Sequence, residues 1–93
     1  MALSFEWDHR KAKHNLKQHG ISFEEARTVF ADRLSSTSED RSHSRPGEIR
    51  SRIIGQSEGR RTLVVIHIDQ GDTIRIISAR EATASERELY EEG

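Results

Sequence analysis

The spacing of hydrophobic positions changes about halfway along the chain. In the first third they recur at helical intervals: Phe23, Ala26 and Phe30 stand at i, i+3 and i+7, on one face of a helix. In the second half they crowd together, with ten of the twelve Ile and Val residues between Ile49 and Ile77. Three β-branched runs, Glu48–Gly55, Thr62–Asp69 and Thr73–Ala79, read as strands. Leu63-Val64-Val65-Ile66 is apolar on both faces and therefore reads as the central strand. The linkers Gln56–Arg61 and Gln70-Gly71-Asp72 are short and polar, so the three strands form an antiparallel meander, with Gly71 free to take a positive φ in the hairpin turn.

Punctuation residues set the helix ends. Phe5-Glu6-Trp7 is a short strand candidate. Asp8 can cap a helix from about His9 to Gln18 by accepting from its first free N–H groups. Gly20 suits the left-handed residue that ends such a helix. Ser22-Phe23-Glu24-Glu25 matches the capping box of a second helix, and Ile21 can pack on Ala26 ahead of it. Leu34 to Gly47 is rich in Ser and charge and holds the single proline, Pro46. It reads as a loop or weak edge strand inside the domain. After Arg80 the pattern returns to helix: Thr83 or Ser85 can cap a segment from Glu86 to Glu92 that carries Leu89 and Tyr90. The expected architecture is α+β in one domain over residues 1–93: a short N-terminal strand and two helices, an antiparallel sheet of three to four strands, and a C-terminal helix. Helices should cover one sheet face and leave the other solvated or used.

Composition adds constraints. Hydrophobic residues are 32% and charged residues 33% of the chain, a lean supply for a core. The net charge of −1 nevertheless argues against disorder. A chain of this length buries roughly 60–65% of its unfolded surface, so a partner can add stability. The absence of Cys excludes disulfides, thiolate zinc sites and a thiol nucleophile. No apolar run approaches the roughly 20 residues of a membrane span, and no signal-peptide h-region follows Met1. A cytoplasmic protein with no membrane partner is expected. The neutral total hides a split: residues 81–93 hold one basic and five acidic groups, a balance of −4, whereas residues 1–80 carry +3. Arg outnumbers Lys by 12 to 3, and Lys11, Lys13 and Lys17 lie together near the start.

Those arginines are the first candidate chemistry. Strand alternation puts Arg50 and Arg52 on one face with Glu48, while Arg75 and Arg80 project from the last strand and its end. A guanidinium fork fits phosphate oxygens, so the pattern suits an RNA backbone. It equally describes a solvated sheet face with Arg–Glu pairs. The histidines are the second. His9, His14 and His19 are five residues apart, which rotates them round the helix instead of aligning them, and no metal site or cofactor is expected. His43 sits among Asp40, Ser42, Ser44 and Glu48, where an imidazole can exchange protons, or simply bond to Asp40. His67, on the central strand, reads as a core residue. Tyr90 can stack, donate a proton or pack against the sheet. Gly-rich phosphate loops and metalloprotease or hydrolase motifs are absent.

In order and spacing, FEWD at Phe5–Asp8, K-x-x-x-N-x-K-x-H-G ending at Gly20, ISFEEA at Ile21–Ala26, VFAD at Val29–Asp32, D-x-x-H-S-x-x-x-E-x-R from Asp40 to Arg50, IRIISAREAT at Ile74–Thr83 and ER-x-x-Y at Glu86–Tyr90 resemble the BrnT toxins of BrnT/BrnA type II toxin–antitoxin pairs. The resemblance spans nearly the whole chain. It departs at Arg33, where relatives commonly have Pro, and at Ala84-Ser85, where they are often Lys-rich. It implies a RelE-like ribonuclease that cleaves RNA without metal to inhibit translation and growth. It also implies a ribbon-helix-helix, BrnA-like antitoxin through which alone the complex contacts promoter DNA. By matching position it implies catalytic roles for Arg80, Arg75, His43, Glu48 and Tyr90, and RNA contacts for Lys17 and His19, to which the sheet face adds Arg50 and Arg52. The alternative reading is a non-catalytic nucleic-acid binder or an interaction module.

Overall fold

The structure is a computed structural model that describes residues 3–92. Its helical start follows the local signals closely. After strand β1 (Ser4–Glu6), Asp8 Oδ1 accepts from Arg10 N at 2.8 Å and Lys11 N at 3.3 Å and opens helix α1 (His9–His19). Gly20 closes it at φ 70°, donating to the Leu16 carbonyl at 2.9 Å. Ser22 Oγ accepts from Glu25 N at 3.0 Å and caps α2 (Phe23–Ala26). The second helix then departs from the expected α pattern. It tightens into a 3₁₀ segment, Arg27–Ala31. With three residues per turn, Phe23, Ala26 and Val29 align and become fully buried, while Phe30 moves to the core margin.

The sheet has five strands rather than three or four. It adds β2 (Ser36–Glu39), β3 (Ser51–Gln56), β4 (Thr62–Gln70) and β5 (Thr73–Glu81) in the order β1-β5-β4-β3-β2. The meander β3-β4-β5 is antiparallel, as its short linkers require, with β4 central. The Ser-rich stretch supplies the edge strand β2, antiparallel to β3. At the other edge β1 pairs with β5 in parallel, so the sheet is mixed. Helix α3 (Ala84–Glu92) ends the fold. None of the helices among the described residues is long and apolar enough to cross a membrane.

One sheet face carries the core. Ile21, Phe23, Ala26 and Val29 pack on Ile53, Leu63, Val65, Ile74, Ile76 and Ala79. Trp7 meets Phe23 edge-on at 5.9 Å, and Phe30 lies 4.9 Å from the buried His67 ring. Burial holds His67 below the usual imidazole range against the opposing pull of Asp69, whose Oδ1 is 3.1 Å from Nδ1 but off the line of a hydrogen bond. His67 is thus a core residue. Asn15, the buried residue of α1, bonds the backbone of β5 and of the turn after α1: Nδ2 donates to Ala79 O at 2.8 Å and to Ile21 O at 3.0 Å, and Oδ1 accepts from Ala79 N at 3.0 Å.

Gly55 marks the closest approach of β3 to the helical layer. A Cβ there would lie 3.1 Å from Ser35 Cβ and 3.3 Å from both Val29 Cβ and the Val29 carbonyl oxygen. The backbone oxygen has little room to yield. Gly55→Ala is expected to destabilise the fold by about 1–3 kcal/mol, an overpacking cost read as a lower urea midpoint.

Candidate active site

The second sheet face is positioned by a bulge. Between Ile66 and His67 the β4–β5 register shifts, pairing Ile66 with Ser78 and His67 with Ile76 and leaving Ile77 over. Strict alternation would send Arg75 and Arg80 to opposite faces. With the extra residue, Arg75 stands opposite Ile68 and Arg80 opposite Val64, on the same face. Register then aligns Ser38, Arg52, Ile66 and Ser78 in one cross-sheet row, and Ser36, Ile54, Val64 and Arg80 in the next.

Over these rows lies a cleft of about 320 Å³ with Val64 and Ile66 in its floor. His19 reaches it from the end of α1, which packs on β5, and His43 and Asp40 from the segment between β2 and β3. Arg52 and Arg80 supply its positive charge. Among the described residues Arg52 forms no ion pair. His43 Nδ1 is 2.7 Å from Asp40 Oδ2, and Ser42 Oγ donates to Asp40 Oδ1 at 2.8 Å. Burial pushes the Asp40 carboxyl up, but the bonds from Ser42 and His43 outweigh it and hold the group below its ordinary range, so it is ionised at neutral pH.

Arg80 is engaged within the chain. Its fork meets the Glu86 carboxylate of α3 at 2.7 and 2.9 Å. Glu86 also closes a capping box with Thr83, accepting from Thr83 N at 2.8 Å while Thr83 Oγ1 accepts from Glu86 N at 3.2 Å. α3 is therefore anchored from the face opposite the core, contrary to the expectation that the helices share one side. Glu86 is drawn from 4.5 to about 2, chiefly by Arg80, with burial opposing and Thr83 assisting. A carboxylate with a depressed folded value contributes stability that is full above about 4.5 and lost as pH falls toward 2. Denaturation midpoints are expected to drop across that window. Glu86→Gln removes the Glu86 share of the drop, about 1 kcal/mol once screening of the partly exposed pair is allowed for.

The remaining candidates lie outside the cleft lining. Arg50 lies just ahead of β3, which begins at Ser51, and pairs with Glu48, 3.2 Å away. Arg75 is on the cleft's face but pairs with Glu6 of β1 at 2.9 Å. Lys17 is exposed on α1. Tyr90 donates to Asp32 Oδ2, and that carboxylate pushes the phenol up to about 12, so Tyr90 keeps its proton and fastens α3 to the loop before β2. Asp32 Oδ2 also accepts from Gln56 N of β3 at 2.8 Å. Asp40 and Ser78 line the cleft without having been singled out as site residues from the sequence. The Asp40–His43 spacing of three, tight enough for one turn, carried the signal for Asp40, whereas Ser78 depended on the bulge.

The fold and cleft define a class: a small α+β domain with a cleft on the sheet face opposite its core, lined by two arginines and two histidines. The family model described as "Ribonuclease toxin, BrnT, of type II toxin-antitoxin system" matches residues 7–86. The chain belongs to that family. Among solved structures it is similar to the 1.1 Å crystal structure of the Brucella abortus ribonuclease toxin BrnT, with 21% identity, a TM-score of 0.68, and coverage of 88% of this chain and 99% of that one. A search of curated proteins gives no match.

Proposed function

We propose that the chain is an endoribonuclease that cleaves RNA without a metal ion, arrests translation and growth when free, and is held inactive in the cytoplasm by a ribbon-helix-helix antitoxin that makes the promoter contacts of the complex. The observation that carries the reading is the meeting of His43, His19, Arg52 and Arg80 in one cleft. Cleavage within RNA needs a base for the 2′-OH, positive charge for the phosphorane and an acid for the leaving oxygen. His43 takes the 2′-OH proton, the 2′-oxygen attacks phosphorus, and the P–O5′ bond breaks as His19 gives its proton to the leaving oxygen. The products are a 2′,3′-cyclic phosphate and a 5′-OH. Arg52 and Arg80 bind the non-bridging oxygens, with the Glu86 carboxylate yielding its place on Arg80 to the phosphate.

Glu48, Arg75, Tyr90, Lys17 and Arg50 then act outside the chemical step, in ion pairs, in helix anchoring or along the RNA beyond the cleft. The test is cleavage of a single-stranded RNA by purified protein in EDTA. Full cleavage is expected, with DNA of the same sequence intact because it lacks the 2′-OH. Activity lost to the chelator and restored by a divalent ion overturns the mechanism.

A further inference from the structure

We infer that Asp40 is a positioning residue for the cleft, fixing the tautomer and direction of His43 so that Nε2 is the proton acceptor; the inference rests on the ribonuclease reading above. The geometry allows one assignment of protons. An ionised carboxylate only accepts. Asp40 Oδ2 stands 2.7 Å from His43 Nδ1, so Nδ1 carries the hydrogen. Ser42 Oγ is 3.2 Å from the same nitrogen and could offer it a proton, but its hydrogen is committed to Asp40 Oδ1 at 2.8 Å. A neutral His43 ring therefore has its free lone pair on Nε2.

The turn that holds the pair is itself braced. Ser44 Oγ donates to the Asp40 carbonyl at 2.7 Å and accepts from Arg50 N at 3.0 Å, while Asp40 N donates to the Arg50 carbonyl at 2.8 Å. Asp40 is thereby tied to the chain entering β3, which carries Arg52 two residues on. An ordinary surface pair would leave the carboxylate as exposed as the imidazole. Here the Asp40 side chain is 11% exposed and His43 is 62% exposed, so the anchor is sheltered and the working group reaches solvent. Both line the cleft that holds Arg52 and Arg80. When the ring takes the 2′-OH proton, the same carboxylate faces the imidazolium it forms.

Asp40→Asn keeps size and shape but can donate to Nδ1 and turn the ring to the opposite tautomer. The expected kcat for RNA is about 100-fold lower, short of the roughly 10⁴ lost at a buried triad Asp because His43 is more exposed. KM is expected to stay within about twofold, and Asp40→Glu to recover part of the loss. In a His43→Ala background Asp40→Asn should cost nothing further, since Asp40 acts through His43. ¹⁵N NMR of the ring should report a protonated Nδ1 in the wild type and a protonated Nε2 in Asp40→Asn. A folded Asp40→Asn that cleaves at the wild-type rate, or that lowers kcat equally with and without His43, overturns the inference. Intact RNA with the wild type overturns the ribonuclease reading instead, and the tautomer measurement still decides whether Asp40 sets the ring.

Discussion

Arg80→Ala is expected to lower kcat for RNA cleavage by about 10²–10³-fold, the scale of losing a preorganised donor to a developing oxyanion. The size follows from the difference between binding and chemistry. In the proposed reaction the ground-state phosphodiester carries one negative charge that Arg52 and solvent would also meet, whereas the phosphorane would gather more charge in the cleft lined by Val64 and Ile66. RNA affinity should therefore fall much less than turnover, with a slightly shallower salt dependence as one phosphate contact is lost. Arg80→Lys should recover little, because an ammonium cannot reproduce the planar fork. The variant also releases Glu86 and with it part of the hold on α3. Glu86→Gln separates these effects: it weakens the same anchor while leaving the guanidinium available to phosphate. Single-turnover cleavage and fluorescence anisotropy across a salt series measure both quantities. Equal losses of binding and turnover in Arg80→Ala, or the same loss of turnover in Glu86→Gln, would remove Arg80 from the chemical step.

The elements legible in the sequence were those set by neighbours along the chain. Asp8, Gly20 and Ser22 act through bonds to residues two to four positions away, and each stands in the structure as its type predicts. Leu63-Val64-Val65-Ile66 is apolar on both faces, and the strand that contains it, Thr62–Gln70, is the central one. What was not legible depends on distant partners. Ser4–Glu6 becomes a parallel strand only because β5 returns beside it from the far end of the chain. The bulge at Ile77 shows in the sequence only as the doublet Ile76-Ile77 in an otherwise alternating run, which does not by itself place a bulge, yet it decides that Arg75 and Arg80 share a face. Of the candidate site residues, the cleft gathers His19, His43, Arg52 and Arg80. The pairing of Arg80 with Glu86 was hidden because Thr83-to-Glu86 reads as a helix cap, which it also is.

Asn15→Ala is expected to destabilise the fold by about 2–4 kcal/mol, well above the cost of Glu86→Gln. The cause is the edge of β5. β1 pairs with Thr73, Ile74 and Arg75 only, so beyond that point this edge of β5 has no strand beside it. The Ala79 N–H and carbonyl face that gap within the core, and the Asn15 amide meets both as a neighbouring strand would. Its second amide hydrogen goes to the Ile21 carbonyl, past the end of α1, so one side chain joins helix, turn and sheet. Alanine leaves all three backbone groups without a partner in a place where Asn15 is 5% exposed. For a domain of this size the loss corresponds to a melting temperature lower by roughly 10–25 °C. Asn15→Asp should do no better: its carboxylate can accept from Ala79 N–H but turns an oxygen toward two carbonyls. The effect should also reach the cleft below the transition, because Ala79 lies between Ser78 and Arg80 and α1 delivers His19. Cleavage by the folded variant at low temperature should fall with the protection of the Ala79 amide in hydrogen exchange. A variant that melts within about 3 °C of the wild type would mean that water replaces the amide at no cost and that the β5 edge is held by packing alone.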